Sequence, residues 1–384
     1  MSALARHRIA GWVVTTVLDE EWDVVFGLLP PEWRELAKTT GAMRRARGAI
    51  TTAETLLRLM LMHLAGGLSL RQTAARAAAQ GLVEVSDVAL WKRLQSCEAW
   101  FAELCARMMA DRQAAVVKPA GRRLRAIDAT TVEEPGASGT SYRVHYSLTL
   151  PEMECDFFEL TDAKGGEKLG RFTFAPEDIV LADRGYSHRE GVAHLLESGA
   201  DVVVRHNQGA FPLCDADGKP YRGLLRWLRA LKGHTSEHRT AYFEFDNVRW
   251  PVRICAIRKS KTKADAAKRK LTQAAAKKGK TLGPDTLEFA EYIVVVTSLP
   301  AAEWSASRVL QLYRARWQVE LHFKRLKSLL KLGCLPKKRD GAARAWIQGK
   351  LLLALMIERL VDRARSFSPW GYEVVPEGGV AVVH

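Results

Sequence analysis

The 384-residue sequence has few of the patterns that mark small secreted proteins or membrane proteins. It holds six cysteines, at positions 97, 105, 155, 214, 255 and 334, and no two of them form a Cys-x2-Cys pair. Neither a zinc ribbon nor a disulfide framework is indicated, and a reducing cytoplasm suits this cysteine usage. The longest apolar runs, such as residues 351–357, are far shorter than the roughly 20 residues that span a bilayer. The N-terminal residues also show no signal-peptide pattern.

Several common catalytic motifs are missing as well. Gly279-Lys280-Thr281 resembles the end of a P-loop, but residue 274 is Ala where that motif requires Gly. The sequence contains no His-Glu-x-x-His pattern, no Gly-x-Ser-x-Gly elbow and no Cys/His signature. P-loop nucleotide hydrolysis, zinc proteolysis and serine-hydrolase chemistry are therefore not indicated.

Positive charge is abundant. The chain has 58 Lys and Arg against 43 Asp and Glu, for a formal net charge of +15. This balance predicts a polyanionic partner, with nucleic acid as the leading class and membrane surfaces as the competitor. The length allows two or three structural units with a sizeable core.

Residues 1–118 are predicted to form a helical N-terminal domain. Helical apolar spacing covers residues 53–64, 70–80 and 88–95, with Gly81 and the cap residue Ser86 between the last two. Two short helices joined by a turn, with cations on their surface, are typical of a helix-turn-helix DNA-binding module. An ordinary helical bundle remains an equal alternative. The cations predicted to be exposed are Arg71, Arg76, Lys92 and Arg93.

From residue 119 the pattern changes to short β-rich runs, which predict a mixed α/β domain. Predicted strands cover residues 123–128, 142–150, 155–160, 179–182 and 201–204. Segments 165–172 and 187–196 are helical or irregular intervals between them. The pattern alone leaves several mixed α/β folds open.

Residues 206–299 are predicted to interrupt this domain with a β-rich insertion. Strands are expected at 241–245, 248–257 and 292–297. Between the last two lies a basic arm, residues 258–280, with ten Lys and Arg opposed only by Asp265. We expect a helical, solvated arm that contacts phosphates, because cations near a DNA backbone release counterions. A plain exposed loop is the alternative.

The segment from Tyr313 to Lys327, within a domain part predicted at 300–366, sorts into two helical faces. One helix is predicted to run to about residue 332, so Tyr313, Arg316, Glu320 and Lys327 share a sector of about 60°. An apolar stripe on another side would dock the helix onto a sheet. Its members are Leu312, Val319, Phe323, Leu326 and Leu330. The simpler alternative is a surface helix with Arg316/Glu320 and Glu320/Lys324 ion pairs.

Three acids stand where a fold could gather them. Asp128 and Asp183 each close a predicted apolar strand, and Glu320 projects from the predicted helix. Carboxylates are the ligands that Mg²⁺ prefers, and two such ions activate a nucleophile and neutralise a leaving oxygen in phosphodiester cleavage. Turn-forming roles remain alternatives for Asp128 and Asp183, since Arg184-Gly185 follows the second.

The spacing Tyr313-x2-Arg316-x3-Glu320-x6-Lys327 resembles the signature of bacterial insertion-sequence transposases of the DDE class, in the family numbered four. The segments Ile127-Asp128-Ala-Thr130 and Val180-Leu-Ala-Asp183-Arg-Gly-Tyr186 and the residue Trp317 extend the resemblance, which spans residues 50 to 370.

The resemblance implies an RNase H-like catalytic core in residues 119–205 and 300–366, with the β-rich insertion as a family trait. It implies catalytic and metal-binding roles for Asp128, Asp183 and Glu320, with two Mg²⁺ ions or Mn²⁺ in their place. Tyr313, Arg316 and Lys327 would hold phosphates, and Lys324 and Arg184 are further DNA-binding candidates. The expected partners are double-stranded DNA at the transposon ends and the target and a second protomer in a homodimer, with no membrane. The expected location is the bacterial cytoplasm, at the nucleoid.

Two other functions remain open. Family members usually continue with further helices, so the tail at residues 367–384 is expected to reflect a truncation. A truncated or inactive remnant would act only as a DNA-binding protein. A metal-dependent structure-selective nuclease on the same fold would cut DNA without strand transfer.

Overall fold

The computed structural model describes residues 22–43, 48–115, 121–233, 235–333, 335–336 and 340–365. The chain divides into two compact units. The helical unit is Met1–Ala115, Glu133–Ser138 and Leu326–His384, and the sheet unit is Val116–Val132 and Gly139–Arg325. The predicted tail at 367–384 lies outside the described residues.

Helices come first and last in the described chain, and strands and helices follow one another in the part between them. The helices are α1 Trp33–Thr39, α2 Ala53–Leu64, α3 Leu70–Ala79, α4 Asp87–Ser96, α5 Glu98–Ala115, α6 Arg189–Glu197, α7 Leu224–Ala230, α8 Lys261–Ala276, α9 Pro284–Phe289, α10 Ala306–Arg314, α11 Trp317–Leu329 and α12 Asp340–Arg365. The strands are β1 Arg123–Val132, β2 Tyr142–Leu150, β3 Glu154–Asp162, β4 Asp178–Ala182, β5 Asp201–Arg205, β6 Ser236–Phe245, β7 Val248–Arg258 and β8 Tyr292–Thr297.

The sheet unit is built on one mixed sheet of eight strands, in the order β3-β2-β1-β4-β5-β8-β7-β6. Strands β1, β4 and β5 are parallel, and the remaining neighbours pair antiparallel. The buried valines and isoleucine of β4 and β5 explain their central place, since parallel strands are covered on both faces. Each strand predicted from the sequence is present, although β1 continues past Asp128 to Val132.

The strands of the predicted insertion extend this same sheet. Strand β8 pairs with β5 through Val204 and Val296, and β7 and β6 follow outward. Residues 206–299 therefore interrupt the core in sequence, but their strands continue its hydrogen-bonded ladder. Within the predicted basic arm, Lys261–Ala276 forms helix α8, in agreement with the helical expectation.

A buried cluster of charged side chains links strands β1, β3 and β4. Arg125 on β1 is only 2% exposed, and it pairs with Asp178 of β4 at 2.9 Å and with Asp156 of β3 at 2.8 Å. Arg123 adds a 2.6 Å bond to Asp178. Burial alone would raise the pKa of Asp178, but the Arg123 hydrogen bond and the Arg125 charge hold it below its ordinary value. The cluster satisfies charges that would otherwise be costly to bury.

The helical unit combines N-terminal helices with the last described helix. Helix α12 packs on α5, α4 and α2. The described residues after Arg325 pack in the helical unit, where α12 buries its apolar face among the N-terminal helices. The assignment of all of residues 300–366 to the catalytic core stays a prediction. The helix starts were predicted well, because Thr52 caps α2 and Ser69 forms a capping box with Gln72 at α3.

Helices α3 and α4 are the pair that was compared with a helix-turn-helix. Gly81 follows α3 with a φ of 67°, a backbone conformation that favours glycine. Arg71, Arg76 and Lys92 are exposed as predicted. Arg93 was predicted to be exposed, but it is half-buried. Its guanidinium donates to the Ala42 carbonyl at 3.3 Å. DNA binding by this pair stays a prediction.

Lys350 of α12 gives the helical unit a testable pH dependence. It is 5% exposed, donates to the Leu64 carbonyl at 2.5 Å, and burial lowers its pKa to about 8. The unfolded chain keeps the proton up to about pH 10.5, so stability from this group is complete above that pH and is lost as pH falls through about 8. We expect the free energy of unfolding of wild type minus that of Lys350→Met to rise by about 3 kcal/mol between pH 8 and 10.5.

Urea unfolding of the two proteins across that pH range measures this difference. A second variant, Lys92→Met, removes an exposed lysine of the same unit and should give a flat difference. A flat line for Lys350→Met as well would contradict the buried-charge explanation.

No helix among the described residues is long and apolar enough to cross a lipid bilayer.

Candidate active site

The parallel register of β1 and β4 places two acids side by side. Ile127 of β1 is aligned with Ala182 of β4, the last aligned pair of the two strands. The next residue on each strand is an acid, Asp128 and Asp183. Neighbouring carboxyl ends of parallel strands are a common location for active sites, and here that location gathers two carboxylates.

Backbone groups orient both carboxylates. Asp128 Oδ1 accepts from the Ala129 amide at 2.8 Å, and Asp183 Oδ1 accepts from the Gly185 amide at 2.7 Å. Asp183 thereby caps the short 3₁₀ turn Arg184–Tyr186, so its predicted turn role is real and coexists with a place in the acid pair. The prediction that Asp128 closes a strand is wrong, because the β2 pairing continues to Val132.

The two acids repel each other in a poorly solvated position. Burial, and then the charge of Asp183, raise the pKa of Asp128 to about 7. A raised carboxyl pKa beside a second carboxyl indicates that negative charge is concentrated at this pair, even though the Arg316 charge lowers the pKa of Asp128 in part. Hard oxygen donors with excess negative charge suit a divalent cation.

The segment that carries Glu320 is two helices and not one. Helix α10 ends at Arg314 and α11 begins at Trp317. Between them the Ala315 amide bonds the Leu312 carbonyl, and the Arg316 amide bonds the Tyr313 carbonyl. These contacts reach back three residues and not four, so they tighten the chain and end α10. The single continuous helix predicted to residue 332, with one shared chemical face, is therefore wrong.

Helix α11 nevertheless docks with the predicted apolar face. Val319 and Phe323 are buried, and Leu326 on the same face is also buried. Beside them His322 Nε2 lies 2.9 Å from the Tyr146 hydroxyl. Tyr146 is the β2 residue directly opposite Asp128. This contact fixes the helix of Glu320 against the part of the sheet that holds Asp128.

Arg316 bridges the third acid to the first. Its guanidinium is 3.4 Å from Asp128 Oδ2 and 2.5 Å from Glu320 Oε1. The Arg316 side chain is 15% exposed and that of Glu320 41% exposed. The ion pair with Glu320 is the one that the surface-helix alternative predicted, but its extension to Asp128 places it inside the acid cluster. Arg316 therefore supplies the positive charge next to Asp128.

A metal site of three acids is not assembled in this arrangement. Across the described ranges, no group of three His, Cys, Asp or Glu side chains is placed to hold an ion. The Asp128/Asp183 pair fits a divalent cation by chemistry and charge, whereas Glu320 is held by Arg316. A metal-bound state with all three acids would require Arg316 to leave.

The remaining predicted DNA-binding residues are distributed along these elements. Tyr313, at the end of α10, is half-buried with the Arg316 guanidinium 5.8 Å from its ring, and burial raises its pKa. Lys324 of α11 and Arg184 are exposed. Lys327 is half-buried on α11, but it lies past Arg325 and so within the helical unit.

Two further residues at the acid pair were not singled out from the sequence. Glu167 packs so closely on Gly185 that any β-carbon there would collide with its carboxylate. Burial, and then Asp183, raise the pKa of Glu167. Tyr186 is fully buried and its hydroxyl has no hydrogen-bond partner in the described structure. Glu167 stands in a loop where a single sequence gives no signal, while Tyr186 was quoted only as part of the Asp183-Arg-Gly-Tyr186 pattern.

Comparison with known families identifies this arrangement. Residues 160–357 match the family model described as the transposase DDE domain. The chain belongs to the DDE transposase family, and it is a DNA transposase, an enzyme that cleaves DNA and transfers strands. Enzymes of this family generally use divalent metal ions.

Insertion-sequence proteins are among its relatives. The protein named "Putative transposase InsL for insertion sequence element IS186A", from Escherichia coli strain K12, is 35% identical over 358 residues, or 91% of this chain and 96% of that protein. The transposase for insertion sequence element IS421, from Escherichia coli, is 35% identical over 359 residues with the same coverage. These likenesses support an insertion-sequence DDE transposase.

A solved structure of a piggyBac transposase synaptic complex with hairpin DNA also aligns, with a TM-score of 0.46 and 10% identity. It covers 89% of this chain and 73% of that chain. The similarity is too low to support an inference.

Proposed function

We propose that Asp128, Asp183 and Glu320 form the catalytic centre of a cut-and-paste transposase of insertion-sequence family four, on an RNase H-like core. The observation that carries the proposal is the register of β1 and β4, which places Asp128 beside Asp183 where their charges repel. The core would be the sheet unit around these strands. The Tyr313-x2-Arg316-x3-Glu320-x6-Lys327 spacing supports the family assignment.

The three carboxylates would hold two Mg²⁺ ions, or Mn²⁺ in their place. Such ions lower the pKa of a bound water or hydroxyl and neutralise the charge on the leaving oxygen. Asp128 and Asp183 each have one oxygen fixed by a backbone amide, so the other oxygen of each carboxylate points from a rigid support. This rigidity is what a preorganised site requires.

The reaction has two steps at one centre. In cleavage, a water oxygen attacks the phosphorus at the transposon end, the bond to the 3′ oxygen breaks, and a 3′-hydroxyl and a 5′-phosphate result. In strand transfer, that 3′-hydroxyl attacks a target phosphodiester, a new P–O bond forms, and the target's own 3′ oxygen leaves as a hydroxyl. We propose that two further exchanges at the same centre lie between these two steps. The freed 3′-hydroxyl attacks the opposite strand at the element end, so that a hairpin forms and the flanking DNA leaves with a 3′-hydroxyl. A second water then opens the hairpin and regenerates the 3′-hydroxyl and a 5′-phosphate. We also propose that two protomers synapse two ends.

Several cations would position the DNA. Arg316 can hold a phosphate through both arms of its guanidinium, while Lys324 and Lys327 act as point charges. Arg184 follows Asp183 directly and is exposed. Tyr313 is next to Arg316 and can donate its hydroxyl proton to a phosphate oxygen.

A second candidate has its own supporting observation. Arg316 separates Asp128 from Glu320, and no three-acid metal group is assembled in the parts of the chain that are described. A chain fixed in that state would bind DNA without cutting it, as an inactive remnant does.

Cleavage of a labelled duplex distinguishes the two. The duplex carries one of the short inverted repeats that flank the gene, and wild type, Asp183→Ala and Asp217→Ala are compared with and without Mg²⁺. Asp217 is an exposed acid of the same unit, so its variant controls for loss of a charge. We expect cutting at the repeat boundary by wild type and Asp217→Ala only. DNA binding without cutting by all three would favour the inactive remnant.

A further inference from the structure

A cationic cavity next to Asp183 in the chain, lined in part by Arg184, contains no residue of the Tyr313-to-Lys327 signature. It has a volume of about 130 Å³ and lies within the sheet unit. Three of its lining residues are cations, Arg184, Arg205 and Lys259, and no lining residue is an acid. At about 30 Å³ per water in the liquid, the cavity has room for roughly four waters, which suits one phosphate group.

The three cations come from different parts of the chain, so the sheet topology and not a local charge run brings them together. Arg184 follows Asp183, Arg205 is the last residue of β5, and Lys259 follows β7. Lys259 is fixed on both sides, because its amide donates to the Glu291 carbonyl at 2.9 Å and its ammonium to the Ala290 carbonyl at 2.5 Å. Lys259 therefore has a defined position in the lining of the cavity.

Within the described ranges no ion pair is made by the three cations of this cavity, whereas neighbouring cations are paired. Arg258 and Lys268 both pair with Glu291, at 3.0 and 2.5 Å. Burial, and then the charge of Arg205, lower the pKa of Lys259 to about 8. Cations gathered without an acid raise the free energy of the empty cavity, and an anion relieves it.

One lining residue, His206, also has a buried polar atom without a hydrogen-bond partner among the described residues. His206 is 3% exposed, and its Nε2 donates to the Phe211 carbonyl at 2.9 Å. Its Nδ1 is buried and has no hydrogen-bond partner in the described residues. Burial lowers the pKa of His206 to about 4, and the negative charge of an oxyanion in the cavity would raise it.

The cavity is close to the candidate active site. Arg184 adjoins Asp183 in sequence, and both Arg205 and Asp183 act electrostatically on Tyr313. A strand that passes the acid pair would bring one of its phosphates to this cavity.

We infer that Arg184, Arg205 and Lys259, with His206, form a binding site for one backbone phosphate of the DNA strand held at Asp183. The inference deepens the proposed function and rests on it. Lys259 belongs to the basic arm, and the inference gives it contact with one particular DNA phosphate, unlike the solvated lysines of α8.

Salt dependence of DNA binding tests the site. Binding of a duplex with one element end is measured without divalent ions over a range of salt, for wild type, Lys259→Ala and the matched control Lys261→Ala. Lys261 is exposed at the start of α8. Loss of one phosphate contact lowers the slope of log affinity against log salt by about 1. We expect that change for Lys259→Ala, a clearly smaller one for Lys261→Ala, and recovery in Lys259→Arg.

A scan with neutral methylphosphonates identifies the phosphate. At one position the methylphosphonate should weaken DNA binding by wild type but cause no further weakening in Lys259→Ala. The loss of affinity from the methylphosphonate and the loss from Lys259→Ala then do not add. Equal slopes for Lys259→Ala and Lys261→Ala, or losses that add at every position, would overturn the assignment. If inorganic phosphate protects wild type but not Lys259→Ala against thermal unfolding, while the DNA slopes are equal, the cavity binds free phosphate and the DNA assignment is wrong.

The outcome is independent of the cleavage assay. A failure of Mg²⁺-dependent cutting with the Lys259 effect intact would refute the proposed chemistry and keep the phosphate site. Mg²⁺-dependent cutting with equal salt slopes for Lys259→Ala and Lys261→Ala would support the proposed chemistry and refute the phosphate site. Thermal unfolding of each variant shows that it is folded, and removal of a buried charge with a lowered pKa is not expected to destabilise the unit.

Discussion

Glu320→Gln should lose strand cleavage by a factor of about 10³ or more, while it binds an element end with near wild-type affinity. Glutamine keeps the size of the side chain but cannot offer a charged oxygen to a divalent ion. The helix stays docked, since Val319, His322 and Phe323 make its contacts with the sheet. Gel-based cleavage and binding assays on the same labelled duplex measure both quantities.

Glu303→Gln provides the control, because Glu303 is exposed in the same unit. It should cut as wild type does. If Glu320→Gln lost DNA binding together with cleavage, its carboxylate would be a structural partner of Arg316 and not a catalytic group.

Arg316→Ala should bind Mn²⁺ about tenfold more tightly than wild type in the absence of DNA, and yet cut poorly. Arg316 contacts both Asp128 and Glu320, so an ion held by these two acids would displace it. Hydrogen bonds to charged groups contribute about 1.5–3 kcal/mol, and 1.4 kcal/mol is a factor of ten in affinity. Cutting falls because the variant also lacks the proposed phosphate contact.

Free Mn²⁺ in equilibrium with each protein, read from its electron paramagnetic resonance signal, gives the affinity. Arg314→Ala removes an exposed arginine two residues away and controls for the general change in charge. If both variants gained the same Mn²⁺ affinity, Arg316 would act only through the net positive charge of the protein. Direct competition between Arg316 and the ion for the acids would then be refuted.

The sequence predicted local structure well where one element decides it. Apolar runs located β4 and β5, and cap residues such as Ser69 located the start of α3. The acid pair was also predictable, because each acid follows a buried run that parallel pairing then aligns. The apolar face of α11 was predicted for the same reason, since periodicity reports burial within a single helix.

Contacts between distant segments were not predictable. The break at Ala315 and Arg316 falls among residues that favour helix, so local preference gives no warning of it. The docking of α12 among N-terminal helices depends on tertiary packing. The places of Glu167 and Lys259 depend on loops that only the folded sheet brings to the acids.

The buried Arg125–Asp178 ion pair stabilises the register of β1 against β4 that aligns the two acids. Side chains alternate along a strand, so Arg125 and Asp128, three residues apart on β1, face opposite sides of the sheet. Asp178 on β4 and Asp183, which follows β4 with extended backbone, are five residues apart and do the same. A slip of one residue between the strands would send an acid to the wrong face, and it would also break a 2.9 Å ion pair in the dry layer behind. The alignment of the acids is thus held by a charge pair that is buried on the other face of the sheet.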